Sequence, residues 1–137
     1  MKSVERLTSK ETYALTVFIV DDSPLIVGRL TGLINDLDNV AVIGDAGNIP
    51  LAIKLIEAQR PDAVILDIHL EHDAPYATGI DLLTTLRKMY PAMIIMMVTN
   101  LSEPQYQHKC TELGADYFFD KSTDFDEVLE TIKSIAK

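Results

Sequence analysis

The sequence predicts an α/β fold: a doubly wound, five-stranded parallel sheet with helices on both faces. Three observations predict it. Five apolar runs alternate with five amphipathic segments along the chain. Three of the runs are almost continuously apolar, as strands covered on both faces are. Proline or glycine marks several of the junctions between strands and helices.

The first run, Ala14 to Val20, is followed by Ser23-Pro24, a helix cap with proline at the first helical position. Ile26, Leu30, Leu33, Ile34 and Leu37 then form one helical stripe. Val40 to Gly44 reads as a short strand at a sheet edge. A shorter stripe, Ala52, Leu55 and Ile56, ends at Arg60-Pro61, before the third strand at Ala63 to Leu66. Leu82, Leu83, Leu86 and Met89 make the third helix, closed by Tyr90-Pro91, and the fourth strand runs from Met93 to Val98. Tyr106, Cys110 and Leu113 mark the fourth helix, with Gly114 as its C-terminal cap. Tyr117 to Phe119 is the last strand. Phe125, Val128, Leu129, Ile132 and Ile135 make the last and clearest stripe. Strict alternation implies right-handed crossovers, which place sites beyond the carboxyl ends of the strands.

A chain of 137 residues with 47% apolar and 24% charged residues fits one globular domain. Residues 1–12 are polar and read as an N-terminal extension, a frayed tail or an extra helical turn, with the domain itself over 13–137. The longest apolar stretch, Ala92 to Val98, is strand-sized and far from the roughly 20 residues that span a bilayer. The N-terminus has no apolar signal-peptide region. Cys110 is the sole cysteine, so neither an internal disulfide nor a thiolate metal site can form. These features lead to a cytoplasmic expectation with no membrane partner. The net charge of −9, without a Lys/Arg cluster, argues against direct nucleic-acid binding and suits a cation or a basic partner surface.

Chemistry collects at the strand ends. Asp21-Asp22 ends the first strand, Asp67 the third and Thr99-Asn100 the fourth, while Lys121 follows the fifth. Gathered on one rim, three carboxylates repel one another, and a hard divalent cation such as Mg²⁺ relieves that repulsion. Lys121 and the Thr99 hydroxyl can hold an anion, and a carboxylate such as Asp67 can attack phosphorus. Each piece alone has a structural reading. Asp21-Asp22 can cap a helix, Asp67 can be a turn residue, and Lys121 can be solvated. Their joint placement at four element ends carries the signal.

The strings VFIVDDSPLI, PDAVILDIHL, GIDLLTTLR, MIIMMVTN and GADYFFDKS resemble response-regulator receiver domains, and the resemblance covers residues 14–136. It implies a flavodoxin-like (βα)5 fold with strand order 2-1-3-4-5, and a two-component phosphorelay function. By resemblance, Asp67 is the phosphoacceptor. Asp22, Asp21, Asp67 and the backbone carbonyl of His69 hold Mg²⁺ or Mn²⁺. Thr99 is the switch hydroxyl, Lys121 the phosphate-contacting lysine, and Phe118 the aromatic rotamer switch. The implied partners are a histidine kinase or phosphotransfer protein and a separate effector, since the last helix reaches the end of the chain. The expected signalling surface is the fourth helix, fifth strand and fifth helix, and the expected state a monomer or weak dimer. No enzymatic activity is implied beyond self-phosphorylation from a donor and self-dephosphorylation.

Four departures from the family pattern stand out. The loop from Asp67 to Gly79 is about four residues longer than usual, against βα loops of up to about six residues. Within it His69, His72 and Asp73 read as solvated loop residues or as a transition-metal site. Ser122 stands where the family commonly has a proline after a cis bond, which leaves the lysine position open. Asn100 replaces a small residue, and Phe118 replaces a tyrosine, so its switching rests on packing alone. A degenerate receiver acting as an interaction module is the alternative. A phosphatase of the haloacid-dehalogenase type needs an acid two residues after its nucleophile, where this chain has His69, and DDSPL is not a flavodoxin phosphate loop.

Overall fold

The computed structural model describes residues 13–70 and 78–137. Ten elements alternate: β1 (Leu15–Val20), α1 (Pro24–Asn35), β2 (Val40–Ala46), α2 (Ile49–Gln59), β3 (Ala63–Leu66), α3 (Gly79–Met89), β4 (Ile94–Thr99), α4 (Pro104–Glu112), β5 (Tyr117–Asp120) and α5 (Phe125–Ala136). The strands form one parallel sheet in the order β2-β1-β3-β4-β5. The expected architecture and strand order both hold.

Side chains alternate across each strand and build a core on each face. Phe18, Val20, Val64, Leu66, Ile95 and Met97 pack under α2, α3 and α4, against Ile56, Leu82, Leu83, Leu86 and Cys110. Val17, Ile19, Ile65, Met96 and Val98 pack under α1 and α5, against Leu30, Ile34, Val128 and Ile132. The central strands are almost wholly apolar because both faces are covered, and all residues of β1 and β3 are buried.

Local chemistry sets the boundaries. Ser23 caps α1, its hydroxyl accepting from the Ile26 amide, with Pro24 opening the helix. Asn48 does the same for α2, and Thr78 and Asp81 form a reciprocal capping box on α3. Gly114, at φ +106°, ends α4 in a conformation a side chain would strain. Arg60, at φ 48°, takes the left-handed position after α2 and lays its guanidinium 5.2 Å from the Tyr90 ring centre.

Two expectations need correction. β2 lies at an edge but is not short: six of its seven residues pair with β1, and the seventh, Ile43, bulges out where the register shifts between Val17 and Phe18. Met89 has the spacing of the α3 stripe but is 45% exposed, because it is the last residue of the helix and has no further turn to cover it. His72, Asp73 and most of the long loop after Asp67 lie outside the described residues.

Candidate functional site

Parallel strands bring their carboxyl ends to one rim, and the site is built there. Hydrogen bonding sets the pieces in place: the Asp21 amide donates to Ala46 O, the Asp67 amide to Val20 O, and the Lys121 amide to Thr99 O. These bonds extend the sheet ladder by a residue beyond the strands, so the side chains leave from a rigid edge.

Asp21 and Asp67 are each only 5% exposed. One oxygen from each of Asp21, Asp22 and Asp67 lies within 4.8 Å of the others. Lys121 Nζ donates to Asp67 Oδ2 at 2.6 Å and to Asp21 Oδ2 at 2.7 Å. Asp21 Oδ1 accepts from the Ser23 amide at 2.9 Å, so the residue that caps α1 also holds this acid. Asp67 Oδ1 accepts a longer bond, 3.3 Å, from the His69 amide. Thr99 is fully buried, and its hydroxyl oxygen accepts from the Leu101 amide at 3.2 Å.

The electrostatics follow from this packing. Burial pushes the Asp21 carboxyl above its ordinary value, against the Lys121 and Ser23 hydrogen bonds that pull it down. Burial pulls the Lys121 ammonium down, but hydrogen bonds to Asp21 and Asp67 and their charges outweigh it, and the net shift is upward. Among the described residues, three carboxylates face one ammonium, an excess of two negative charges on a small rim. An all-oxygen donor set with that residual charge fits a divalent hard cation such as Mg²⁺, held by Asp21, Asp22 and Asp67. A cleft of about 310 Å³ opens beside it, lined by Asp22, Asp67, His69, Thr99, Asn100 and Lys121. A larger cavity, about 600 Å³, opens among Leu15, Tyr90 and Ile94, away from the strand ends that carry the acids.

Thus Asp21, Asp22, Asp67, Thr99 and Lys121 come together, with His69 and Asn100 at the mouth. Phe118 is half-buried on β5, packed against the core under α4 together with Leu101 and Tyr106. Two residues escaped sequence reasoning. Gly79, at the start of α3, is buried with its amide donating to Ile68 O at 2.6 Å, and a Cβ there would meet the Asp67 backbone. Asp120 binds both flanking loops, through Ser102 and Ser122.

An ion-paired acid cluster at the rim of a 2-1-3-4-5 sheet defines a class of signalling domain, and comparison with known proteins agrees. Residues 17–133 match the response regulator receiver domain family, and the chain belongs to that family. It is 30% identical over 122 residues to the DNA-binding transcriptional activator EvgA of Escherichia coli K12, covering 88% of this chain and 56% of EvgA. It is 32% identical over 122 residues to a protein-glutamate methylesterase/protein-glutamine glutaminase of Carboxydothermus hydrogenoformans, covering 88% of this chain and 35% of that one. The chain therefore spans about half the length, or less, of these curated relatives. Among solved structures it resembles a LuxR-family two-component response regulator from Aurantimonas, with a TM-score of 0.80 and 27% identity over 89% of this chain and 84% of that one. The response regulator domain of Thermotoga maritima CheB gives a TM-score of 0.75 at 26% identity, covering 88% of this chain and 92% of that one. The chain is a receiver domain of the two-component response regulators. Among the described residues no helix is long and apolar enough to cross a membrane.

Proposed function

We propose that residues 13–137 form a phosphorylation-switched receiver, with residues 1–12 an extension to it, and that Asp67 is the phosphoacceptor. The observation that carries this reading is the pairing of Lys121 Nζ with both Asp67 and Asp21, at 2.6 and 2.7 Å, beside the buried Thr99. A buried carboxylate held by a lysine at the mouth of a cleft is a nucleophile with an anion-binding group already in place.

In the proposed reaction an Asp67 carboxylate oxygen forms a bond to phosphorus. The bond from phosphorus to the donor breaks, and its electron pair leaves on the donor, a phosphohistidine nitrogen of a histidine kinase or phosphotransfer protein. When bound, Mg²⁺ or Mn²⁺ neutralises charge among the acids and the arriving phosphoryl oxygens, held by Asp21, Asp22, Asp67 and the His69 carbonyl. Lys121 then has a phosphoryl oxygen to hold in place of the bare carboxylate. The bond from Leu101 uses only the oxygen of the Thr99 hydroxyl, so its hydrogen is available as a donor to a phosphoryl oxygen. Such a turn of Thr99 would draw on the β4–α4 loop and on Phe118, changing the α4–β5–α5 surface read by a separate effector protein. The chain's own chemistry would be limited to phosphoryl uptake and self-dephosphorylation in the cytoplasm.

The test is acetyl phosphate with Mg²⁺, followed by intact mass. One hydroxylamine-labile phosphoryl group is expected, absent from Asp67→Asn. Failure of both acetyl phosphate and beryllofluoride to react would sink the reading and favour an interaction module that needs no phosphorylation.

A further inference from the structure

The connection between β5 and α5 is shaped by one carboxylate. Asp120 Oδ1 accepts from the Ser122 amide at 2.8 Å and from the Ser122 hydroxyl at 2.6 Å. Asp120 Oδ2 accepts from the Ser102 hydroxyl at 2.7 Å, across 18 residues of sequence. The Asp120 amide donates to Asp124 Oδ2 at 2.8 Å, and its carbonyl accepts from the Thr123 and Asp124 amides. Lys121 lies inside this closed turn, its amide on Thr99 O and its ammonium on Asp21 and Asp67.

A strand-ending acid that folds over its own next residues is an ordinary turn device. The Ser102 bond is not, because it leaves the turn and crosses to the loop that begins after Thr99. We propose that Asp120 is a positioning residue: its carboxylate sets the β5–α5 turn so that Lys121 reaches Asp67 and Asp21, and ties that turn to the β4–α4 loop. A turn without proline at 122 has more backbone freedom to lose, and the hydrogen bonds from the Ser122 amide and hydroxyl to Asp120 restrict that freedom instead. Only the consequence for phosphoryl uptake rests on the phosphoacceptor reading; the placement of Lys121 does not.

The test compares Asp120→Ala with Asp120→Asn. Both lose the same charge, but asparagine can still accept from Ser122. In the absence of any phosphoryl donor, a displaced Lys121 no longer competes for the acids. Asp120→Ala is expected to bind Mg²⁺ about threefold or more tightly than Asp120→Asn by calorimetric titration. With acetyl phosphate, Asp120→Ala is expected to be about tenfold slower than Asp120→Asn at saturating Mg²⁺. A merely structural loss would weaken both properties in proportion to the folded fraction, whereas loss of positioning moves them in opposite directions. Ser102→Ala is expected to speed amide exchange at Asn100 and Leu101 while leaving Mg²⁺ affinity unchanged. The proposal is overturned if the Ala and Asn variants behave alike, if both properties of Asp120→Ala fall together, or if Ser102→Ala leaves exchange unaltered. Should the parent chain take up no phosphoryl group, the phosphoacceptor reading fails while the Mg²⁺ titration still decides the role of Asp120.

Discussion

Replacing Lys121 with methionine keeps most of its stem and removes the charge that Asp21 and Asp67 share. Removing one partner of a buried ion pair typically costs about 3–5 kcal/mol. Here the cost has a ceiling, because Asp21 can bind a proton instead. At pH 7 that costs ~1.36 kcal/mol per unit between the pH and the carboxyl pKa, about 4 kcal/mol from the ordinary value of 3.8. It costs less from the raised value that burial imposes in the folded chain. Methionine also avoids desolvating an ammonium. We therefore expect Lys121→Met to lose about 2–4 kcal/mol of folding stability at pH 7 in EDTA. The chain has no tryptophan, so urea unfolding is best followed by far-UV circular dichroism. The sign of the pH dependence is fixed by the shifts. The raised Lys121 pKa contributes stability that is fully present below 10.5 and lost as pH rises through the folded value. The parent should lose stability there and the variant should not. A raised carboxyl works in the other direction: the folded chain binds the proton more readily than the unfolded one, so stability falls as pH rises from 3.8 through the folded value. Without Lys121 that window widens upward, and the gap between variant and parent should narrow on acidification from pH 7 towards 4. Mg²⁺ at about 100 times its dissociation constant should return about 2.7 kcal/mol to the variant. A variant as stable as the parent at pH 7 in EDTA, or a gap that widens on acidification, would refute the reasoning.

Gly79→Ala should destabilise by about 2–3 kcal/mol, because the added Cβ runs into the Asp67 carbonyl and lies 2.8 Å from its carbon and 2.9 Å from Ile68 Cα, all backbone atoms with little room to yield. Thermal unfolding measures it, and a loss under about 0.5 kcal/mol would show that α3 can retreat freely. Asn100→Ala should raise the rate of phosphorylation by acetyl phosphate a few-fold, since Asn100 lines the same cleft as Asp67 and a smaller side chain there would widen it; an equal or slower rate counts against that role.

The strand ends were legible because the sheet itself does the assembling. Once alternating runs imply parallel strands, Asp21, Asp22, Asp67, Thr99 and Lys121 must share one rim. What stayed hidden depends on hydrogen-bond partners that spacing does not name. The apolar run Val40 to Gly44 read as the whole strand, yet pairing with β1 carries it on through Asp45 to Ala46, past the Ile43 bulge. Gly79 looked like the end of a loop, whereas its lack of a side chain is what lets α3 begin against the Asp67 backbone. Asp120 fell just past the strand read at Tyr117 to Phe119 and drew no role from the sequence. Its signal was present in Asp-Lys-Ser-Thr-Asp, where an acid precedes a serine by two residues and another acid by four, the spacing of a side-chain-closed turn. Its bond to Ser102 had no sequence signature.

The resting arrangement also bears on why the site would wait for its donor. Lys121 holds Asp67 Oδ2 at 2.6 Å, while among the described residues Oδ1 has only the longer contact from the His69 amide at 3.3 Å. A carboxylate oxygen bonded to an ammonium is a poorer nucleophile, so attack would fall to Oδ1, the oxygen less committed to hydrogen bonding. An arriving phosphoryl group carries more negative charge than either carboxylate alone and offers Lys121 a stronger partner. Transfer of that one ammonium to a phosphoryl oxygen, with Asp67 consumed as the acyl phosphate, would leave the buried Asp21 without its partner beside a new dianionic group, a charge that a divalent cation among them would offset. Requirement for the cation and response to the phosphoryl group would then have a single origin, the sharing of Lys121 between two buried carboxylates.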